Sequence, residues 1–391
     1  MSLIFKKIYD FYDNIPQNFQ RFMRRSLNIP DIEDGTKIEA FPKKFDVRGR
    51  VIEGKLDGND VILKYSKYLS LPNSPSSFAY SDNYTDAMRF YSFMDAVKEK
   101  LRKLAKKKGD HSFSEEKDQQ CQYALLQGLK NIVPIIGVTK VHYPNVHEEN
   151  IAEILPKVPG HTLLDCIINK FPPYDTPLGL PRNEFIATDL LLQLANVRFL
   201  LHTCGYVYGD LHKGNIMITS NDLSFVIKLI DWDRLTKIKH QADTDNDRCY
   251  FKDVLFPILL GQQCLNSKGL DHPIVPKEDS DRTQIKDFFR KYRRRFKSTN
   301  LYAPETLNAL MKILKNIFLP NNDEKKLTME NIVARLRALR NDLKASYRDG
   351  EREEMADELE MTEDEEQSVS ASVRSEDCKS EERDDETQNA Q

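Results

Sequence analysis

The spacing of apolar and polar positions changes character at about residue 45. Before it, Ile4, Phe5, Ile8, Phe11 and Tyr12 recur at helical spacing beside Lys6, Lys7, Arg21, Arg24 and Arg25. This predicts a helical N-terminal extension over 1–44. Packing on the main domain is its plainest use; a membrane-surface or partner helix is the alternative. From Phe45 the pattern is that of strands. Arg50-Val-Ile-Glu-Gly-Lys-Leu and Asp60-Val-Ile-Leu-Lys-Tyr flank Asp57-Gly58-Asn59, a hairpin signal. Helical spacing follows over 85–108 and about 114–129, then strands near 132–141 and 150–155. Pro159-Gly160 breaks the chain. The remainder to about 345 is mainly helical, except for a strand-like pair around Asp210 and Asp231. Strands first and helices after predict an α+β fold of two lobes, a small β-rich one over 45–158 and a large α-helical one over 159–345.

Composition bounds the picture. With 391 residues, 40% of them hydrophobic, the chain can bury a substantial core. The six cysteines (121, 166, 204, 249, 264 and 378) include no Cys-x-x-Cys pair. That argues for reduced thiols and a cytoplasmic or nuclear location, and against a zinc site or a secreted disulfide framework. The apolar runs are too short to predict a transmembrane segment, and no secretion signal is expected. Net charge is −3, but residues 349–391 carry 18 acidic and 4 basic side chains, which leaves +11 for the rest. This Glu-, Asp- and Ser-rich tail is expected to be disordered. Arg290-Lys-Tyr-Arg-Arg-Arg-Phe-Lys297 is read as a solvated helix face with its aromatics turned inward. Nucleic acid is therefore not the expected partner, and the chain is expected to be a monomer.

The candidate chemistry lies in Tyr208-Gly-Asp210-Leu-His212-Lys213-Gly-Asn215-Ile-Met217-Ile, followed by Val226-Ile-Lys-Leu-Ile-Asp231-Trp232-Asp233. An acid, an amide five positions on and a second acid closing an apolar strand can hold Mg-ATP and orient a hydroxyl for phosphoryl transfer. Asp210 can accept the substrate proton. Asn215 and Asp231 offer oxygen to Mg²⁺. Asp233 is either a further metal ligand or the cap of the next turn.

These residues resemble those of the protein-kinase-like superfamily, over roughly residues 45–345. Val61-Ile62-Leu63-Lys64 is similar to the strand whose lysine contacts the α- and β-phosphates. Leu155-Pro-Lys-Val158-Pro-Gly160 resembles the interlobe hinge, and Asp253-Val-Leu-Phe-Pro resembles the helix whose aspartate braces the catalytic loop. The resemblance implies a bilobal protein-kinase-like fold with ATP and Mg²⁺ as cofactors. It implies catalytic roles for Asp210 and Lys64, with Lys67 as the alternative lysine. Asn215 and Asp231 are its metal ligands. Gly49 would lie at the phosphates, Val51 and Ile62 above the adenine, Met217 below it, and Leu155 and Val158 would offer hinge backbone. Val51, Ile62 and Met217 are equally readable as ordinary core. Glu116 is the candidate acid to pair with Lys64, and Asp253 gives structural support.

Several features depart from the common pattern. Gly49 is the one glycine in register for a phosphate loop, and G-x-G-x-x-G is absent. Ile62 is bulkier than the usual alanine. His212 stands where many protein kinases place lysine. Asp-Leu-His-x-Gly-Asn and Asp-Trp-Asp look more like the aminoglycoside and choline phosphotransferase branch; fungal and oomycete kinase-like proteins, crinkler-type effectors among them, show similar loops. Only 21 residues separate Asp231 from Asp253, short for a peptide platform. Ala303-Pro304-Glu305 mimics a kinase motif but suits the first turn of a further helix. The leading expectation is an ATP:hydroxyl phosphotransferase acting on protein Ser/Thr. A small-molecule kinase and a nucleotide-binding pseudokinase are the alternatives. A cup or a groove beyond Asp210, and turnover or binding alone, would separate them.

Overall fold

A computed structural model describes residues 38–40, 51–56, 59–65, 76–107, 115–142, 149–221, 224–240, 243, 254–264, 282–318 and 327–347. Gly49, Lys67, Asp253, the tail 349–391 and the N-terminal segment apart from 38–40 lie outside the described residues.

The architecture is of the α+β class, with separate antiparallel sheets and a helical body. Strands β1 (Ile38–Ala40), β2 (Val51–Leu56), β3 (Asn59–Tyr65), β4 (Gly137–His142) and β5 (Glu149–Pro156) form one sheet in the order β1-β2-β3-β5-β4. The hairpin read around Asp57-Gly58 pairs Leu56 with Asn59 and Val51 with Lys64. β1 falls inside the stretch expected to be a helical extension and instead pairs with β2, Ile38 opposite Leu56. Alternation of Ile, Glu and Ala over three residues is too short to reveal a strand when its partner is elsewhere in the chain.

Between β3 and β4 run α1 (Ser76–Lys107) and α2 (Glu115–Lys130). α1 begins well before the expected position near 85. Its opening Ser, Asp and Asn residues compete with backbone hydrogen bonds and therefore read as a turn. Phe90, Phe93, Val97, Leu101 and Leu104 form its buried stripe, and it packs on β5 and β4. The strand expected at 132–141 is divided. Pro134 has no N–H for a ladder, and the residues before it join another element: Val133 N–H donates to Leu229 O at 2.9 Å, and Ile132 bridges Leu229 in parallel.

The helical body is centred on α4 (Glu184–Thr203), capped by Asn183, whose side chain accepts from Ile186 N–H at 2.8 Å. By length and composition α4 is apolar enough to cross a membrane, but 72% of that stretch is buried inside the structure; it is a core helix. α2 packs along it so closely that a Cβ on Gly128 would lie 2.6 Å from Asn196 O. Strand β6 (His161–Thr162), helix α3 (Leu163–Asn169), strand β7 (Tyr206–Val207), the hairpin β8 (Ile216–Asn221) and β9 (Ser224–Leu229), and β10 (Thr236–Lys237) complete this part, with β7 and β9 against α4. They form a sheet β6-β8-β9 and a pair β10-β7.

Helix α5 (Val254–Cys264) is buried, and its Ile258 and Leu259 carbonyls accept from the Tyr174 and Tyr302 hydroxyls at 3.0 and 2.6 Å. α6 (Arg282–Ser298) buries Phe289, Tyr292 and Phe296 and exposes Arg290, Lys291, Arg293, Arg294, Arg295 and Lys297, the arrangement expected of the basic run. α7 (Pro304–Phe318) opens on Pro304 with Glu305 in its first turn, so Ala303-Pro304-Glu305 is a helix start. A last helix spans 329–347; its residues from 340 onward belong to a second unit.

Candidate active site

The loop after β7 is shaped by backbone that only glycine adopts easily. Gly209 has φ +74°, and a Cβ there would lie 2.6 Å from Arg234 O. This close approach turns the chain at Asp210. His212 then caps a short 3₁₀ turn, Lys213–Asn215, by accepting from Gly214 N–H at 3.0 Å. The turn brings Asn215 back to Asp210: its amide nitrogen donates to Asp210 O at 3.1 Å and to Asp210 Oδ2 at 3.3 Å. Asn215 is buried, so this pairing satisfies a polar group that would otherwise be costly. Arg234 Nη1 lies 3.4 Å from Asp210 Oδ1, and His212 Nε2 3.8 Å from Oδ2.

The strand carrying the second acid is fastened on its outer edge. Asn131 Nδ2 donates to Ile227 O at 2.9 Å, Gln193 Oε1 accepts from Ile227 N–H at 2.9 Å, and Leu229 N–H donates to Asn131 O at 2.7 Å. Just past β9, Ile230 N–H donates to Asn215 O at 3.0 Å. Asp231 then adopts φ +66°, uncommon for a residue with a side chain. The Tyr208 hydroxyl, fully buried, donates to Asp231 O at 2.6 Å and also contacts Ile230 O. Trp232 is buried against Phe90 and Phe93 of α1 and edge-on to Tyr208, and its indole N–H donates to Val133 O at 2.7 Å.

From the five-stranded sheet, Lys64 reaches this point. Its Nζ donates to Asp231 Oδ1 at 2.7 Å and to Asp233 Oδ1, and lies 3.8 Å from Glu153 Oε2. Glu153 is directly opposite Lys64 in the β3–β5 register. Burial opposes the charge on Lys64, but Glu153, Asp231 and Asp233 outweigh it and hold the ammonium above its ordinary range. Burial pushes the Glu153 carboxyl up to about 8, with Lys64 pulling the other way. Burial also opposes ionisation of Asp231, but Lys64 lowers it on balance, whereas burial and the charge of Asp231 raise Asp233. Asp86 of α1 completes the group, held by Arg89 at 2.9 Å.

Spacing along the sequence thus selects residues that the fold brings together: Lys64 meets Asp231, and Asn215 links the Asp231 strand to Asp210. Val51 stands opposite Lys64, Ile62 opposite Leu155, and Met217 opposite Thr162 in their ladders. Leu155 is buried, and Val158 is half-buried past the end of β5. Glu116, the acid expected beside Lys64, is in the first turn of α2, and its side chain is outside the described set. Among the described residues the acids facing Lys64 are Glu153, Asp231 and Asp233. Glu153 went unnoticed in the sequence, although a single acid inside Ile151-Ala-Glu-Ile-Leu155 was a signal. So was Asp86, which shares a helical stripe with Phe90, Phe93 and Val97. Arg234 gave no signal beyond its place after Asp-Trp-Asp. In comparisons with known proteins, the chain matches no protein-family model and no curated sequence.

Proposed function

We propose that the chain is an ATP-dependent phosphotransferase with a bilobal protein-kinase-like fold, transferring the γ-phosphate to a hydroxyl, with protein Ser or Thr as the acceptor. The observation that carries this reading is one set of contacts. A lysine from the five-stranded sheet rests on the acid that closes β9, while the amide before β8 grips the acid of the preceding loop.

In this reading Lys64 supplies a fixed cation to the α- and β-phosphates, and the acids around it keep it charged. Asp231 and Asn215 fit Mg²⁺: both are oxygen donors, and Asn215 directs its nitrogen to Asp210, which orients the amide. The bound ion would neutralise charge on the phosphoryl oxygens. Asp210 orients the acceptor hydroxyl and takes its proton. Arg234 places positive charge beside Asp210, where an electrostatic contribution to transfer is largest. The exposed basic face of α6 supports a macromolecular acceptor. A reducing compartment, cytoplasm or nucleus, and a monomeric state complete the proposal.

The test is transfer of radiolabel from ATP by the purified protein to a protein mixture and, separately, to a metabolite panel, beside Asp210→Ala. Label on protein with wild type alone supports the reading. Label on a metabolite reassigns the acceptor, and nucleotide binding without turnover makes the chain a binding module. Equal transfer by wild type and Asp210→Ala overturns the catalytic role of Asp210 and the reading built on it.

A further inference from the structure

The cluster behind Lys64 is more acidic than one lysine requires. Oxygens of Asp86, Glu153 and Asp233 lie within 4.8 Å of one another. They come from three separate elements: α1, β5 and the segment after β9. Oxygens on opposite sides of a hard cation with bonds of roughly 2.1–2.4 Å stand roughly 4.2–4.8 Å apart, so the spacing suits three ligands of one ion.

Glu153 supplies a second observation. It is 1% exposed, and neither of its carboxylate oxygens has a hydrogen-bond partner, although one of them lies within 4.8 Å of oxygens of the other two acids. A buried carboxylate without hydrogen bonds is costly, and Lys64, at 3.8 Å, is beyond hydrogen-bond reach of it.

We infer that Asp86, Glu153 and Asp233 form a divalent-cation site of their own, for Mg²⁺ or Mn²⁺, distinct from the Asp231–Asn215 pair. An ion on Asp233 takes an acceptor that Lys64 now uses and leaves the contact of the ammonium with Asp231 in place. The site therefore couples cation binding to the freedom of Lys64. The inference rests on the carboxylates themselves and does not require phosphoryl transfer.

Mn²⁺ alone, without nucleotide, tests it. Free Mn²⁺ is measured by electron paramagnetic resonance during titration of the full-length protein, beside Glu153→Gln, Asp86→Asn and Asn215→Ala. Wild type and Asn215→Ala are expected to share one ion that Glu153→Gln and Asp86→Asn bind at least tenfold more weakly. Glutamine keeps the size of Glu153 and removes its charge, and a thermal melt identifies any variant that does not fold. Anomalous scattering from Mn²⁺-soaked wild-type crystals, expected between the three carboxylates, gives an answer independent of every variant. No Mn²⁺ bound by wild type, equal binding by folded Glu153→Gln, or a single anomalous peak at Asp231 and Asn215 would each overturn the site. Loss of phosphotransfer with this ion retained would count against the function proposed above and leave the site standing.

Discussion

The Tyr208 hydroxyl donates to the Asp231 carbonyl at 2.6 Å, tying the loop that carries Asp210 to the acid that meets Lys64. Asp231 holds φ +66° at this contact, so the hydroxyl supports a backbone conformation of sparse population. Tyr208→Phe removes the donor and keeps the ring against Trp232. It is expected to cost about 1 kcal/mol of stability, measured by urea unfolding, and to lower phosphotransfer at least tenfold. Activity unchanged in a variant destabilised by that amount would make the contact purely structural.

Asp210 and Asp231 are expected to fail differently. Asp210→Ala should lower transfer by about two to four orders of magnitude while ATP binding persists. Asp231→Ala should lose Mg²⁺-dependent ATP binding, seen by titration calorimetry with and without Mg²⁺. Identical binding curves for the two variants would contradict the division of roles.

Trp232 is the largest fully buried side chain and touches Phe90, Phe93 and Tyr208. Trp232→Ala leaves a cavity and strands the Val133 carbonyl, a loss of about 3–5 kcal/mol. Trp232→Phe should recover most of the packing and none of the hydrogen bond. Guanidinium unfolding of both variants measures the difference.

At Gly209 a methyl group would meet the Arg234 carbonyl, and the backbone has φ +74°. Gly209→Ala is expected to cost about 1–3 kcal/mol and to displace Asp210. The check is a reduced kcat at saturating ATP with the protein still folded by circular dichroism.

Lys228 gives a pH signature away from the acids. Burial, reinforced by Lys130, lowers its ammonium to about 8 from the ordinary 10.5, while its Nζ donates to Lys130 O. Between pH 8 and 10.5 the unfolded chain binds the proton and the folded one does not, so stability from this group rises with pH across that window. Below pH 8 both forms are protonated and the folded protein bears the cost of the buried charge. Lys228→Met should flatten the rise, whose upper limit is about 1.4 kcal/mol per pH unit, and stabilise the protein at pH 7. Urea midpoints from pH 7 to 10 show whether it does.

Local patterning made much of the architecture legible. The Asp57-Gly58 turn marked the β2–β3 hairpin, and interleaved aromatics oriented α6 with Phe289, Tyr292 and Phe296 inward. Pro304 and Glu305 identified a helix start rather than a kinase motif. Where an element owed its state to a distant partner, spacing was silent. β1 exists because β2 offers an edge. The apolar run at 132–136 reads as part of a strand but is divided between β9 and β5. The early turns of α1 read as loop because Ser, Asp and Asn score as turn formers.

What the amino-acid order determined by itself is the inventory of chemistry: a lysine on a strand, two acids and an amide at short fixed spacings, each set by its own turn. Those spacings are local, and the backbone geometry of a few residues decides them. Which acids surround the lysine is another matter. Lys64 and Asp231 are 167 residues apart in the chain; Glu153 reaches Lys64 through strand register, and Asp86 reaches Glu153 and Asp233 through the rotation of a helix. Register and rotation follow from how whole apolar faces pack, so tertiary structure alone could set two unnoticed carboxylates behind the lysine.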